Sequence, residues 1–253
     1  MAGQGKVKPI RNSMGSRRYS DLLLPNQEFG RYLYHDVQSF EEALYALVGG
    51  YAEQFGPGNL RIAASSKVGV EEMSSPPFLL SFLNTIVKLI KAKTILEIGT
   101  FIGFSTMQLA RMVGEKGHVT TLEVFPEFAE IARRNFAQNG FADRITLIEG
   151  NAETTLGGLE KGSFDLVFID GSKQSYLDYA IRCEELITDK GVIVVDDVFF
   201  HGDALNAVPS TEKGLGCKRL LEHYQDDRRF ESLLLPLRNG ILLLFRHDAE
   251  LHA

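Results

Sequence analysis

Short apolar runs rich in β-branched residues alternate with amphipathic segments along the chain after residue 93. The runs that we read as strands are Thr94–Ile98, His118–Glu123, Arg144–Glu149, Phe164–Asp170 and Gly191–Asp196. Helices are predicted near 104–113, 126–138, 152–160 and 173–188. This alternation is typical of repeated β-α-β units, so it predicts an α/β fold with a parallel sheet and helices on both faces.

The chain on either side of this alternation follows other patterns. Residues 26–90 carry apolar side chains at helical spacing and are predicted to form a helical extension. The segment FESLLLPLRNGILLLFR has two apolar runs around Asn-Gly, which predicts a hairpin that adds an antiparallel strand at the sheet edge. Residues 1–25 are predicted to be a flexible basic tail, and 26–253 a single domain.

Composition excludes several classes of protein. A formal net charge of −6 disfavours a general nucleic-acid-binding protein. No apolar run approaches the roughly 20 residues that a membrane span needs, so we expect a cytoplasmic protein without a membrane partner. Cys183 and Cys217 belong to no disulfide or metal-ligand pattern, and we expect two buried thiols.

The segment ILEIGTFIGFST at 95–106 joins the first predicted strand to a helix through Gly99 and Gly103. Phe101 occupies the middle glycine position of a GxGxxG dinucleotide motif, and the GK[ST] of a phosphate-binding loop is absent. Glu123 ends the next strand, where a carboxylate can accept hydrogen bonds from ribose hydroxyls. These features predict a nucleoside ligand without a pyrophosphate; the alternative is an ordinary strand-to-helix turn.

Three aspartates follow the ends of later strands. Asp170, Asp196 and Asp197 should lie at the same sheet edge, because the carboxyl ends of parallel strands meet there. Clustered carboxylates favour a hard divalent cation, although one of them could instead cap a helix or face solvent. Lys173 begins the next predicted helix, where a cation is mildly unfavourable, which indicates either a functional lysine or an ordinary exposed one.

Four ordered segments together resemble one enzyme family. They are LEIGTFIGFST, VTTLEVFPEFAEIARRNF, FDLVFIDGSKQSY and GVIVVDDVFFHG. The resemblance covers roughly 40–246 and is to the cation-dependent S-adenosylmethionine O-methyltransferases, which include the catechol and caffeoyl-CoA enzymes and their bacterial relatives. It implies a Rossmann-like class I methyltransferase fold, with a mostly parallel seven-stranded sheet and a C-terminal antiparallel hairpin strand. It also implies a homodimer.

The same resemblance implies roles for individual residues. The cofactor-binding residues would be Met73, Ser75, Glu97, Gly99, Gly103, Ser105, Glu123, Ala152 and Asp170. Asp170, Asp196 and Asp197 would hold Mg²⁺, with Mn²⁺ or Ca²⁺ as alternatives, and Lys173 would be the general base. Asp197 departs from the family, whose members usually carry Asn there. The nearby His201 could be an added ligand, an added base or an exposed loop residue.

The acceptor is the least constrained part of this interpretation. The resemblance implies methyl transfer to a hydroxyl oxygen of a small phenolic, catechol-like molecule. Hydroxyuridine in tRNA is an alternative, and the basic tail is compatible with it. Alternative functions of other classes are those of a nicotinamide-dependent oxidoreductase and of a non-catalytic cofactor-binding scaffold. Tyr176, Phe199 and Phe200 could flank an aromatic acceptor or simply pack in the core.

Overall fold

The chain divides into two units, Met1–Glu53 and Gln54–Ala253. The computed structural model describes residues 46–47, 49–58, 60–64 and 75–247. In the first unit, residues 46–47 and 49–52 are helical. The predicted basic tail and most of the predicted helical extension before 46 lie outside the described residues, so the domain boundaries stay a prediction.

Seven strands form one sheet in the second unit. They are β1 (Thr94–Ile98), β2 (His118–Glu123), β3 (Ile145–Glu149), β4 (Phe164–Ile169), β5 (Ile187–Asp196), β6 (Phe230–Leu235) and β7 (Ile241–Arg246). Their order is β3-β2-β1-β4-β5-β7-β6. The first five strands are parallel, whereas β7 is antiparallel to both β5 and β6. The predicted mostly parallel sheet with a C-terminal hairpin is confirmed.

Helices cover both faces of this sheet. They are α1 (Pro77–Ile90), α2 (Phe104–Val113), α3 (Pro126–Gln138), α4 (Ala152–Thr155), α5 (Tyr176–Glu184) and α6 (Glu212–Asp226). Alternate residues of β5 show the two faces: Val192 and Val194 pack with α1, α2 and α3, whereas Ile193 and Val195 pack with α4, α5 and α6. The period of two along a strand therefore produces two separate cores, one on each side of the sheet.

Two elements differ from the sequence-based prediction. Strand β5 begins at Ile187 rather than Gly191, because the pairing register with β4 shifts between Phe164 and Leu166 and accommodates three extra residues in β5. The helix predicted at 173–188 consists of a 3-10 turn, Lys173–Ser175, followed by α5, and it ends earlier to make room for β5. The polar residues of the 188–190 stretch resemble a turn in sequence but lie within the strand.

Helix α6 was missed by the sequence analysis because two glycines interrupt its first turns. A Cβ at Gly216 would overlap the backbone carbonyl oxygen of Lys173, and a Cβ at Gly214 would overlap the Asp203 carboxylate. Thr211 caps the helix by accepting a hydrogen bond from the Gly214 amide at 3.0 Å. The glycines thus allow α6 to lie directly against the turn that carries Lys173.

The C-terminal hairpin also supports the segment that follows β5. Its loop spans residues 236–240, which is longer than the two-residue turn that Asn-Gly alone suggests. The amide of Phe199 donates to the Asn239 carbonyl at 2.6 Å, and the amide of Val198 donates to the Gly240 carbonyl at 3.1 Å. A Cβ at Gly240 would come within 2.7 Å of the Phe199 ring. The hairpin loop therefore fixes the chain just after Asp196 and Asp197.

Two further predictions concern the interior and the membrane. Cys183 and Cys217 are buried free thiols, as predicted. Across the described helices, none has the length and apolar character that crossing a bilayer requires.

Candidate functional site

The glycine turn lies where the strand order reverses. The chain runs outward from β1 to β3 and then returns to place β4 on the other side of β1. Gly99 has φ +102°, and a Cβ there would overlap the carbonyl oxygen of Asp170 at the end of β4. Gly103 has φ +82° and lies against the Phe136 ring. Such a switch point is where open α/β sheets bind ligands, and the glycines bring the ends of β1 and β4 together there.

Glu123 holds the glycine turn through backbone amides. Its Oε2 accepts from the Phe101 amide at 2.7 Å, and its Oε1 accepts from the Phe125 amide at 3.0 Å. Phe101 itself has φ +50°, so this carboxylate stabilises an uncommon backbone conformation. Burial raises the pKa of Glu123, although these amides oppose the shift. Each oxygen keeps a second lone pair that could accept from a ribose hydroxyl.

Glu97 lies fully buried at the same end of β1. Its carboxylate accepts hydrogen bonds from the hydroxyls of Ser105 at 2.6 Å, Thr106 at 2.5 Å and Thr121 at 2.7 Å. Burial raises the pKa of Glu97 to about 7 despite these three donors. Glu97 and Ser105 thus lie beside the glycine turn and are hydrogen-bonded to each other inside the protein, and their role in cofactor binding stays a prediction.

The buried Glu97 gives a testable pH dependence of stability. Its pKa is raised from 4.5 to about 7 in the folded state, so its contribution is present below pH 4.5 and is lost as the pH rises through 7. One pKa unit corresponds to about 1.4 kcal/mol, so this contribution is on the order of 3 kcal/mol. Glu97→Gln should therefore reduce the fall in unfolding free energy between about pH 5 and about pH 8, measured by denaturant titration.

Glu160→Gln is the matched control for this prediction, because Glu160 is exposed. It should keep the wild-type dependence of stability on pH. An identical dependence in Glu97→Gln and wild type would show that burial of Glu97 does not shift its pKa.

The three predicted aspartates lie at one edge of the sheet. Asp170 follows β4, Asp196 ends β5, and Asp197 comes next with φ +63°. Asp and Asn tolerate this left-handed conformation better than most residues, so an Asp at 197 fits where the family usually has Asn. Burial and the charges of the neighbouring aspartates raise the pKa of Asp196 above its usual range. The edge therefore gathers carboxyl groups whose negative charges repel one another.

Lys173 forms ion pairs with two of these aspartates. Its Nζ lies 3.0 Å from Asp197 Oδ2 and 3.6 Å from Asp170 Oδ1, and its side chain is 15% exposed. Burial lowers the pKa of Lys173, but the charges of Asp170 and Asp197 raise it by more. The alternative of an ordinary exposed lysine is therefore wrong.

A cation fits this donor set by its chemistry. Lys173 pairs with two of the three carboxylates, those of Asp170 and Asp197, and oxygen donors suit Mg²⁺, Mn²⁺ or Ca²⁺. In the described structure the ligand oxygens of Asp170, Asp196 and Asp197 do not all come within 4.8 Å of one another. Lys173 lies between two of them, so cation binding requires the Lys173 ammonium and these carboxylates to move apart.

A second group of potential ligands lies elsewhere, between α5, α6 and β6. Glu184, His223 and Asp227 have donor atoms within 4.8 Å of one another. Arg229 already donates to Glu184 Oε2 at 2.9 Å and to Asp227 Oδ2 at 2.6 Å, and the Tyr224 hydroxyl donates to Glu184 Oε1 at 2.9 Å. The Arg229 guanidinium thus pairs with both carboxylates, which indicates a structural ion-pair network rather than a metal site.

The remaining predicted residues are less informative. Ser75 is buried, Ala152 is buried at the start of α4, and Met73 lies outside the described residues. His201 is exposed, with its ring 5.3 Å from that of Phe200. Tyr176 is fully buried, so it cannot flank an acceptor. The hydrogen bonds from the turn to Glu123 and the packing of α6 against the Lys173 turn were not predicted, and neither has a local sequence signal.

Comparison with known proteins identifies the family. The O-methyltransferase family model matches residues 54–247. Catechol O-methyltransferase of Mycobacterium tuberculosis is 38% identical over 165 residues, which cover 64% of this chain and 68% of that protein. Caffeoyl-CoA O-methyltransferase 1 of Eucalyptus globulus is 32% identical over 180 residues, which cover 65% of this chain and 71% of that protein.

Solved structures agree with the sequence relatives. An O-methyltransferase of Bacillus cereus, in complex with S-adenosylhomocysteine (SAH), has 27% identity and a TM-score of 0.65, and the match covers 87% of this chain and 96% of that one. The SAH-bound methyltransferase PaMTH1 of Podospora anserina shares the fold, with a TM-score of 0.70, 24% identity and coverage of 85% and 99%. The glycine turn, the acidic edge and these matches together show that the chain belongs to the S-adenosylmethionine-dependent O-methyltransferase family.

Proposed function

We propose that this enzyme transfers the methyl group of S-adenosylmethionine to a hydroxyl oxygen of a small phenolic, catechol-like acceptor, with the help of a divalent cation. The observation that carries the proposal is the position of Lys173 among Asp170 and Asp197, next to the glycine turn. The named activities of the catechol and caffeoyl-CoA relatives support the acceptor class. Homodimerisation and a cytoplasmic location stay predictions from the sequence.

The cofactor is proposed to bind over the glycine turn. Gly99 and Gly103 leave the backbone open at the carboxyl end of β1, and the N-terminus of α2 follows. That helix end favours the carboxylate of the cofactor's amino-acid part. Glu123 would accept from the ribose hydroxyls with the lone pairs that the Phe101 and Phe125 amides do not use. The cofactor's sulfonium would then lie near Asp170, since the ends of β1 and β4 are in contact.

Asp170, Asp196 and Asp197 are proposed to hold the divalent cation. When bound, such a cation would act as a Lewis acid that stabilises negative charge on the acceptor oxygen. The three carboxylates position the acceptor hydroxyl at the edge of the sheet where the cofactor also binds. Holding the two reactants together in this way lowers the entropic part of the barrier.

Lys173 is proposed to take the proton of the acceptor hydroxyl at its Nζ. Because Asp170 and Asp197 raise its pKa, Lys173 becomes an effective base only when these carboxylates are neutralised by another positive charge. The deprotonated oxygen then attacks the methyl carbon. A carbon–oxygen bond forms as the carbon–sulfur bond of the sulfonium breaks, and S-adenosylhomocysteine leaves as a neutral thioether.

The alternative functions and the alternative acceptor are less well supported. Membership of a methyltransferase family argues against an oxidoreductase and against a scaffold without turnover. The basic residues of 1–25, which are compatible with a tRNA acceptor, lie outside the described structure. The acidic edge and the net charge of −6 favour a small molecule over a polyanion.

The proposal is tested by methyl transfer from labelled S-adenosylmethionine to a panel of catechols and to unmodified tRNA, with Mg²⁺ or with EDTA. We expect labelled catechols that disappear when EDTA is present, and no labelled tRNA. Transfer that EDTA leaves unchanged would contradict the role of the cation. Label found only in tRNA would show that the acceptor is tRNA rather than a small phenolic molecule.

Asp197→Asn is expected to weaken cation binding and to keep most of the turnover at saturating Mg²⁺. The amide fits the left-handed backbone at 197 and still offers an oxygen, but it removes one negative charge. The affinity for Mn²⁺, measured by calorimetry, should fall by roughly tenfold. Complete loss of turnover at saturating Mg²⁺ would contradict the interpretation that Asp197 simply replaces the family's Asn.

A further inference from the structure

The hydroxyl of Tyr176 lacks a hydrogen-bond partner among the described residues, although it is completely buried. Tyr176 is the first residue of α5, three positions after Lys173. Buried hydroxyls are nearly always paired, because an unpaired one loses its hydrogen bonds to water without replacement. An exception of this kind requires a physical explanation.

Another buried tyrosine hydroxyl in the same core does have a partner. The Tyr224 hydroxyl donates to Glu184 Oε1 at 2.9 Å. The contrast is informative because Tyr224 is also almost completely buried and belongs to the same core cluster as Tyr176. Burial in this core therefore does not by itself leave a tyrosine hydroxyl unpaired.

Lys173 connects Tyr176 to the acidic edge. The Nζ of Lys173 is 5.5 Å from the centre of the Tyr176 ring. The same Nζ is 3.0 Å from Asp197 Oδ2 and 3.6 Å from Asp170 Oδ1. Tyr176 thus packs beside the ammonium that pairs with two of the three aspartates, and its hydroxyl is an unused donor among the described residues.

We propose that Tyr176 is a positioning residue of the acidic edge, whose hydroxyl donates a hydrogen bond to one of the three carboxylates when they hold a divalent cation. The inference rests on the proposed function, because it needs a cation to draw the carboxylates away from Lys173. Metal-ligating carboxylates are themselves commonly hydrogen-bonded, and those outer partners orient them. Tyr176 suits this task because its packed ring cannot move away.

Tyr176 also stays a donor under all ordinary conditions. Burial, followed by the nearby carboxylates, raises its pKa well above the ordinary value, so the phenol keeps its proton. It cannot serve as a catalytic residue, since its complete burial keeps it from the acceptor. Its effect must therefore pass through the carboxylates.

The test compares Tyr176→Phe with the matched control Tyr224→Phe. Mn²⁺ affinity is measured by calorimetry, and the Tm of the cation-free protein by thermal unfolding. Tyr176→Phe should weaken Mn²⁺ binding by about tenfold or more and leave the cation-free Tm unchanged or higher, because no hydrogen bond is lost. Tyr224→Phe should lower the Tm by about 3 °C, through loss of its bond to Glu184, and bind Mn²⁺ as wild type does.

Other outcomes separate this inference from the proposed function. Wild-type Mn²⁺ affinity in Tyr176→Phe would overturn the inference and leave the proposed function standing. A fall in cation-free Tm like that of Tyr224→Phe would also overturn it, because the hydroxyl would then already have a partner. If the wild type itself binds no Mn²⁺, the proposed role of the cation fails and the inference fails with it.

Discussion

Replacing Lys173 by alanine is expected to lower methyl transfer by about 10²- to 10⁴-fold, the range that a general base contributes. Cofactor affinity should stay within a few-fold of wild type, because Lys173 contacts the aspartates rather than the glycine turn. The cation affinity should rise, since the ammonium that is paired with Asp170 and Asp197 is gone. Turnover and cation binding should therefore change in opposite directions.

This opposition distinguishes the loss of a base from general damage to the site. Single-turnover methyl transfer and Mn²⁺ calorimetry on the same preparation measure the two quantities. Lys161→Ala is the matched control, because its ion pair with Glu185 is exposed and remote from the acidic edge. Turnover in Lys173→Ala equal to that of the control would remove Lys173 from the chemistry.

Replacing Gly99 by alanine is expected to abolish cofactor binding and to destabilise the fold by about 2–6 kcal/mol. A side chain at φ +102° is strained, and its Cβ would overlap the carbonyl oxygen of Asp170. Relief of this overlap should displace both the β1 turn, on which the cofactor site depends, and the end of β4, on which the acidic edge depends. The variant should therefore lose affinity for both S-adenosylmethionine and Mn²⁺.

Two control glycines separate backbone strain from the collision with Asp170. Gly140 has φ +74° but open space around its Cβ, so Gly140→Ala should cost only about 1 kcal/mol. Gly157 has open space and no unusual φ, so Gly157→Ala should be nearly neutral. Cofactor calorimetry and denaturant unfolding measure all three variants. A Gly99→Ala protein that resembles Gly140→Ala would mean that contact between β1 and β4 does not shape the site.

Local patterns predicted most of the sheet and its helices. The bounds of β1, β2, α2 and α3 agree with the sequence analysis because each is a short apolar or amphipathic segment with a clear boundary. Helix α6 was missed for the opposite reason. Gly214 and Gly216 leave room for the Asp203 carboxylate and the Lys173 carbonyl, which belong to other parts of the chain. The same glycines weaken the local helical pattern.

The site was predictable in its composition but not in its contacts. The strand ends place Asp170 and Asp196 at one edge, and this follows from parallel topology alone. The pairing of Lys173 with Asp197 does not, because it depends on the left-handed backbone at 197 and on the packing of α6. The lack of a partner for the Tyr176 hydroxyl within the described part of the chain is likewise a tertiary property that no sequence pattern reveals.

The most direct test of this account is the anomalous scattering of crystals grown with Mn²⁺ and S-adenosylhomocysteine. We predict one Mn²⁺ peak coordinated by Asp170, Asp196 and Asp197, with Lys173 no longer paired to Asp197. A peak at Glu184, His223 and Asp227 instead, or no peak at saturating Mn²⁺, would contradict the assignment of the acidic edge as the metal centre of this methyltransferase.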